Sequence, residues 1–166
     1  MRQILQVMKA RLLAGEDLVM VTVTASSGAT PRGAGARMLV GKSGRICGTI
    51  GGGAVEYRSE QIALTVLQEK SSRGHDFTLT RDDVQNLGMI CGGACNVFFH
   101  YLSAGDPDIL ALADEAEARF VRGADAWLVS DLGDSGRLYL TGKGDSALLP
   151  YLTRQPHRVQ VGGHEL

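Results

Sequence analysis

Three consecutive glycines, Gly51-Gly52-Gly53, stand where strand-like residues give way to helix formers. Before them, residues 37–40 and 45–50 flank Gly41-Lys42-Ser43-Gly44, the pattern of a β-hairpin. After them, residues 54–70 set Val55, Ile62, Leu64, Val66 and Leu67 among good helix formers, with Gly74 beyond the end. The sequence therefore predicts a strand, a glycine turn and a helix in immediate succession. Bare backbone N–H groups at a helix start make a ready anion site, suited to phosphate, pyrophosphate or carboxylate. The same glycines would also serve tight turning or close packing.

The rest of the chain surrounds this unit with short elements. Ile4, Leu5, Met8, Leu12 and Leu13 recur at helical spacing, and Gly15 is placed to end that helix. Residues 18–24 are apolar and β-branched and read as a buried strand. Residues 26–35, with Gly28, Pro31, Gly33 and Gly35, read as a loop. A strand over 75–80, a second glycine-rich loop over 87–93 and a strand over 95–102 follow. Asp106-Pro107 opens a helix through Val121, with proline at a position where its missing N–H is harmless. Residues 124–130 and 137–141 form a second hairpin, and residues 157–166 a last short strand pair. The expected fold class is α+β. A mixed or antiparallel sheet carries helices mostly on one face, and the two glycine-rich loops form a pocket within one domain over residues 1–166.

Several function classes are excluded at this level. A formal net charge of −1 with scattered arginines argues against a nucleic-acid partner, which calls for a basic patch or stripe. No apolar stretch approaches the roughly 20 residues that span a bilayer, and Met1-Arg2-Gln3-Ile4-Leu5-Gln6 lacks the apolar core of a signal peptide. Three cysteines, Cys47, Cys91 and Cys95, show no disulfide framework. Free thiols in a cytoplasmic setting are expected.

Among possible chemical motifs, Gly51-Gly52-Gly53-Ala54-Val55-Glu56 is not a dinucleotide fingerprint. A glutamate holds the place of the third glycine, and the preceding strand belongs to a hairpin. Gly41-Lys42-Ser43 is not a P-loop, because Ala36 stands where its first glycine is required. Cys91 and Cys95 have no second ligand pair at zinc spacing. Cys47 reads as a small residue of an apolar strand.

Four features remain. Cys91, between Gly88-Met89-Ile90 and Gly92-Gly93, is an accessible thiol on a glycine-rich turn. It suits a soft-metal or sulfur ligand or a nucleophile, or it packs beneath the turn. Arg32 and Arg37 bracket a glycine loop, and arginine's planar fork matches phosphate and carboxylate oxygens. Glu56, in the first helical turn, either complements the helix dipole or holds an arginine or a substrate amine. His75 and His100 are candidate bases, although His100 reads first as a partly buried structural histidine and only then as a ligand or base.

Four blocks then resemble the signature of the XdhC/CoxI family. They are Gly28-Ala29-Thr30-Pro31-Arg32, Gly35-Ala36-Arg37-Met38-Leu39-Val40, Gly48-Thr49-Ile50-Gly51-Gly52-Gly53-Ala54-Val55-Glu56 and Leu87-Gly88-Met89-Ile90-Cys91-Gly92-Gly93. The resemblance covers roughly residues 18–100. It implies an accessory protein that is not itself an enzyme and that transiently binds the molybdenum cofactor (molybdopterin). Such a protein works with a cysteine desulfurase and passes the cofactor to an apo molybdenum hydroxylase such as xanthine dehydrogenase. It also implies a homodimer. By that resemblance Arg32, Arg37, Gly51, Gly52, Gly53, Glu56, Cys91, Gly92 and Gly93 are the cofactor-binding residues, and Cys91 the contact to molybdenum or its sulfur. Longer members carry a C-terminal Rossmann-type domain, so this chain is expected to be a short form or an N-terminal part. Residues 94–101 depart from the family, whose members commonly place acidic residues and Glu-Pro there. The alternatives are a small enzyme with Cys91 as nucleophile and His75 or His100 as base, and a nucleotide-binding oxidoreductase subunit. The missing fingerprint counts against the latter.

Overall fold

Residues 18–23 are buried without a break, although antiparallel sheets commonly leave one face to water. The cause is a sheet covered on both sides. The computed structural model of the chain describes residues 1–27, 32–78, 94–133, 136–144 and 147–166. In chain order these form α1 (Arg2–Leu13), β1 (Leu18–Ser27), β2 (Arg37–Gly41), β3 (Gly44–Thr49), α2 (Gly53–Glu69), β4 (Arg73–Thr78) and β5 (Ala94–Leu102). There follow α3 (Pro107–Val121), β6 (Trp127–Ser130), β7 (Leu138–Thr141), a 3-10 turn (Leu149–Tyr151), β8 (Gln160–Val161) and β9 (His164–Glu165).

The main sheet runs β3-β2-β1-β5-β4, and every neighbouring pair is antiparallel. The two hairpins and the last strand pair fall where their turn residues predict. β1 runs three residues further than its apolar stretch, into Ser27, because a bulge between Val23 and Ala25 lets it keep pairing with β5.

Side-chain alternation divides the core in two. Val19, Val21 and Val23 join Met38, Val97 and Phe99 beneath Val55, Ala63 and Val66 of α2. Leu18 and Met20 point the other way, with Leu39 and Leu102, against Leu5, Met8 and Leu12 of α1 and Ile109, Leu112 and Ala116 of α3. Two of the three described helices thus share one face and α2 covers the other. Each fully buried aliphatic side chain contributes about 1.5–3 kcal/mol relative to exposure, so the central strand is stabilised from both faces at once. α3 begins as expected, with the Asp106 carboxylate accepting from the Asp108 amide at 2.9 Å and Pro107 in the first turn.

The β6–β7 hairpin seats Leu138 in the second cluster. Beyond it the chain doubles back: Leu132 N donates to Glu165 O at 2.8 Å, and Arg158 Nη2 donates to the Thr24 hydroxyl at 2.6 Å. This return brings residues from the C-terminal quarter to the end of β1. Among the described residues no helix is long and apolar enough to cross a membrane.

Candidate functional site

The glycine turn between β3 and α2 is built around a carboxylate of the chain itself. Gly51, Gly52 and Gly53 take φ of +129°, +78° and +64°, left-handed conformations that side chains other than glycine's resist. The turn so formed aims backbone amides inward at Glu56. One oxygen, Oε2, accepts from Ile50 N at 2.9 Å, Gly52 N at 3.1 Å and the Thr49 hydroxyl at 2.5 Å. Thr49 Oγ1 in turn accepts from Gly51 N at 3.1 Å. Oε1 lies 3.5 Å from Arg45 Nη1. Burial by itself would raise the Glu56 pKa. The three donors and the Arg45 charge outweigh it and hold the carboxylate below its ordinary range. Two backbone amides, of Ile50 and Gly52, therefore already serve an internal anion.

A second polar group lies on the face covered by α1 and α3. Thr22, Arg37 and His100 occupy neighbouring strands on that face, since Thr22 pairs with Arg37 and Met20 with His100. Arg37 Nη1 donates to Gly35 O at 3.1 Å, while its Nε is buried without a partner. The Thr22 and Ser130 hydroxyls are likewise buried without partners. Buried polar atoms are seldom left so. Burial pulls Arg37 below the ordinary arginine pKa. It pushes His100 down to about 3, with the Arg37 charge adding to the shift and the Met20 backbone and Asp131 opposing it. The ring is neutral, so the positive charge of the cluster sits at Arg37.

Thr22, Arg37 and Ser130 open onto a cleft of about 400 Å3. Its other wall comes from residues 125–132 and 148–159, a region in which sequence reading identifies no functional residue. Nothing local marks Ser130 or Trp127 as site residues. Only the doubling back of the chain brings them to Arg37.

The residues singled out from sequence are thus distributed over several places. Arg32 is exposed. Arg37 begins β2 as the register partner of Thr49, which makes the arginine strand and the glycine turn neighbours. Gly51, Gly52, Gly53 and Glu56 form the turn itself. Cys91, Gly92 and Gly93 lie outside the described residues, and so does the rest of the second glycine loop over 87–93. Of the candidate bases, His75 is exposed on the edge strand β4, whereas His100 is wholly buried. Cys47 and Cys95 are free thiols whose pKa values burial raises. Among the described residues no cluster of histidine, cysteine and carboxylate could hold a metal ion.

The α+β fold has a counterpart among solved structures. A crystal structure described as a xanthine dehydrogenase from Bacillus halodurans superimposes with a TM-score of 0.64 at 25 % identity, over 82 % of this chain and 40 % of that one. Residues 12–93 match the XdhC and CoxI family, and the chain belongs to that family. In Escherichia coli K12 it is similar to the uncharacterized protein YqeB, at 42 % identity over 48 % of this chain and 14 % of the relative. It is also similar to the molybdenum cofactor insertion chaperone PaoD, at 31 % identity over 71 % of this chain and 36 % of PaoD. The chain thus spans between about a seventh and just over a third of these curated relatives.

Proposed function

We propose that this chain binds the molybdenum cofactor as cargo and supports its insertion into a xanthine dehydrogenase-type molybdenum hydroxylase. The observation that carries the reading is its likeness to an insertion chaperone over 71 % of the chain. The chemistry of the chain agrees with such a cargo, a pterin with an anionic phosphate and a dithiolene-held molybdenum. Arg37 offers a positive charge that no carboxylate of the described residues neutralises, which suits the phosphate end. Cys91 and the Gly92-Gly93 backbone are the proposed neighbours of the metal and its exchangeable sulfur. Gly51, Gly52, Gly53 and Glu56 hold the adjoining turn rigid, and Arg32 is a surface contact to the cargo. The proposed partners are the apo-hydroxylase and a cysteine desulfurase, with a second copy of this chain completing a dimer in the cytoplasm.

The decisive experiment co-expresses the chain with an intact cofactor pathway and purifies it. Oxidised pterin fluorescence and bound molybdenum are then measured. The expected result is pterin and metal co-purifying with the protein and falling in Cys91→Ser. If neither were found while a control chaperone retained both, the cargo reading would be wrong. Cofactor retained and delivered equally by Cys91→Ser would remove Cys91 from the site.

A further inference from the structure

The cleft beside Arg37 has the ingredients of a ligand site that the glycine turn lacks. The turn's cation, Arg45, faces two carboxylates, Glu56 at 3.5 Å and Glu60 at 3.8 Å. Arg158, at the rim of the cleft, is answered by Glu165 at 3.0 Å. Arg37 has no such partner: among the described residues no carboxylate lies within 4 Å of its guanidinium, and its one hydrogen bond goes to a neutral carbonyl. A charge withdrawn from water without a counter-ion is costly, yet the sheet fixes Arg37 there by pairing it with Thr22 on one side and Thr49 on the other.

Two further donors stand with it. The hydroxyls of Thr22, which is 3 % exposed, and Ser130 are buried, unpartnered and part of the cleft lining. A hydroxyl and a guanidinium together match the acceptor-only oxygens of a carboxylate or phosphate. His100, behind them, stays uncharged and so adds no second positive charge. The opposite wall is mixed: Trp127, Leu148 and Leu152 give it an apolar stretch, beside Asp125, Arg154, Gln155 and His157. The volume of about 400 Å3 lies within the range of about 300–1,000 Å3 common to small-molecule sites.

We propose that this cleft binds an oxyanion carried on a small apolar body. The anionic group meets Arg37, Thr22 and Ser130, and the body lies against Trp127 and its aliphatic neighbours. Gly35 shapes the entrance. At φ +85° it runs directly beneath Pro156, whose Cγ would stand 2.3 Å from an added Cβ. The site therefore exists only while the C-terminal return is docked on the β1–β2 end of the sheet. This inference does not rest on the cofactor reading, because it concerns the oxyanion alone.

The test is calorimetric titration of the full chain with benzoate, with neutral benzamide and with inorganic phosphate. Benzoate is expected to saturate one site per chain and benzamide to bind at least about tenfold more weakly, the scale of one lost charged hydrogen bond. Arg37→Met should abolish benzoate binding, and Thr22→Val, nearly isosteric, should weaken it severalfold. Phosphate competing with benzoate would mean that the free anion is read by itself. Phosphate failing to compete would mean that the apolar body is required. Circular dichroism melts establish that each variant is folded, and if Arg37→Met is not, Thr22→Val and Ser130→Ala carry the decision. Benzoate and benzamide binding alike, neither benzoate nor phosphate binding saturably, or folded variants titrating like the parent would each overturn the proposal.

Discussion

Replacing His100 by leucine should remove a block of pH dependence from the stability of this domain. The ring is wholly buried on β5, and its pKa falls to about 3 through burial and the Arg37 charge. In the unfolded chain a histidine titrates near 6.5. Below that pH the unfolded state binds a proton that the folded state refuses, so stability rises with pH and is lost as pH falls. Between pH 7 and pH 5 the loss is about 2 kcal/mol, from about 1.4 kcal/mol per pH unit below 6.5. That figure is set by the unfolded value alone, provided the folded value lies well under 5. The depressed carboxylates Glu56 and Asp17 act in the same direction, but their windows lie below their ordinary values of 4.5 and 3.8. Urea unfolding of the parent and His100→Leu at pH 7 and pH 5 separates the contributions. A parent that loses no more stability than the leucine variant over this interval would refute the buried neutral ring.

Other perturbations probe the turn and the cleft. Glu56→Gln keeps the size of the side chain but removes the charge that accepts from Ile50 N, Gly52 N and Thr49. It should cost about 1.5–3 kcal/mol at neutral pH, read by denaturant midpoint, and the penalty should shrink in acid as the parent's own carboxylate protonates. Gly35→Ala meets both a left-handed backbone and the Pro156 ring. It should destabilise by about 1–3 kcal/mol and, if the C-terminal return must shift, increase proteolysis after residue 150. Gly48→Ala, at φ +76° with Arg37 O only 2.5 Å from the added atom, should lower the melting temperature by several degrees. A Gly48→Ala variant as stable as the parent would mean that the β2–β3 pairing differs from the one described.

Much of this fold was legible because local rules and tertiary packing agree. Gly41-Lys42-Ser43-Gly44 turns a hairpin, Asp106-Pro107 starts a helix, and the apolar run at 18–23 forms the central strand. The glycine triplet was legible as a helix start, but Glu56 could be read as dipole complement, arginine partner or substrate contact. The three-dimensional turn shows that carboxylate accepting from Ile50 N, Gly52 N and the Thr49 hydroxyl beside Arg45. The Arg37 cleft was less legible still. Arg37 and Thr22 meet by strand register, whereas Ser130 and Trp127 arrive from about a hundred residues away. Their own neighbourhood in sequence carries no periodicity or spacing that announces a site. His100, among apolar strand residues, reads as a partly buried structural histidine or as a ligand or base, and its full burial agrees with the structural reading.

The charge arrangement also bears on how this domain would recognise an anion. Oriented amides at a helix start attract negative charge, and by composition the glycine turn is the more obvious receptor. Its two described inward amides nonetheless already serve Glu56, which is 7 % exposed, so an incoming anion would have to displace a carboxylate held by three donors and an arginine. At the cleft the position is reversed: the cation is present, the Thr22 and Ser130 hydroxyls are unpartnered, and no carboxylate of the described residues is paired with Arg37, although Asp125 lines the cleft. Binding there gains the full charge-assisted hydrogen bonds without first breaking any. An anionic cargo should therefore depend far more on Arg37 than on Glu56. Measured side by side, Arg37→Met should lose oxyanion binding while a folded Glu56→Gln retains it. The reverse order would place the receptor at the glycine turn after all.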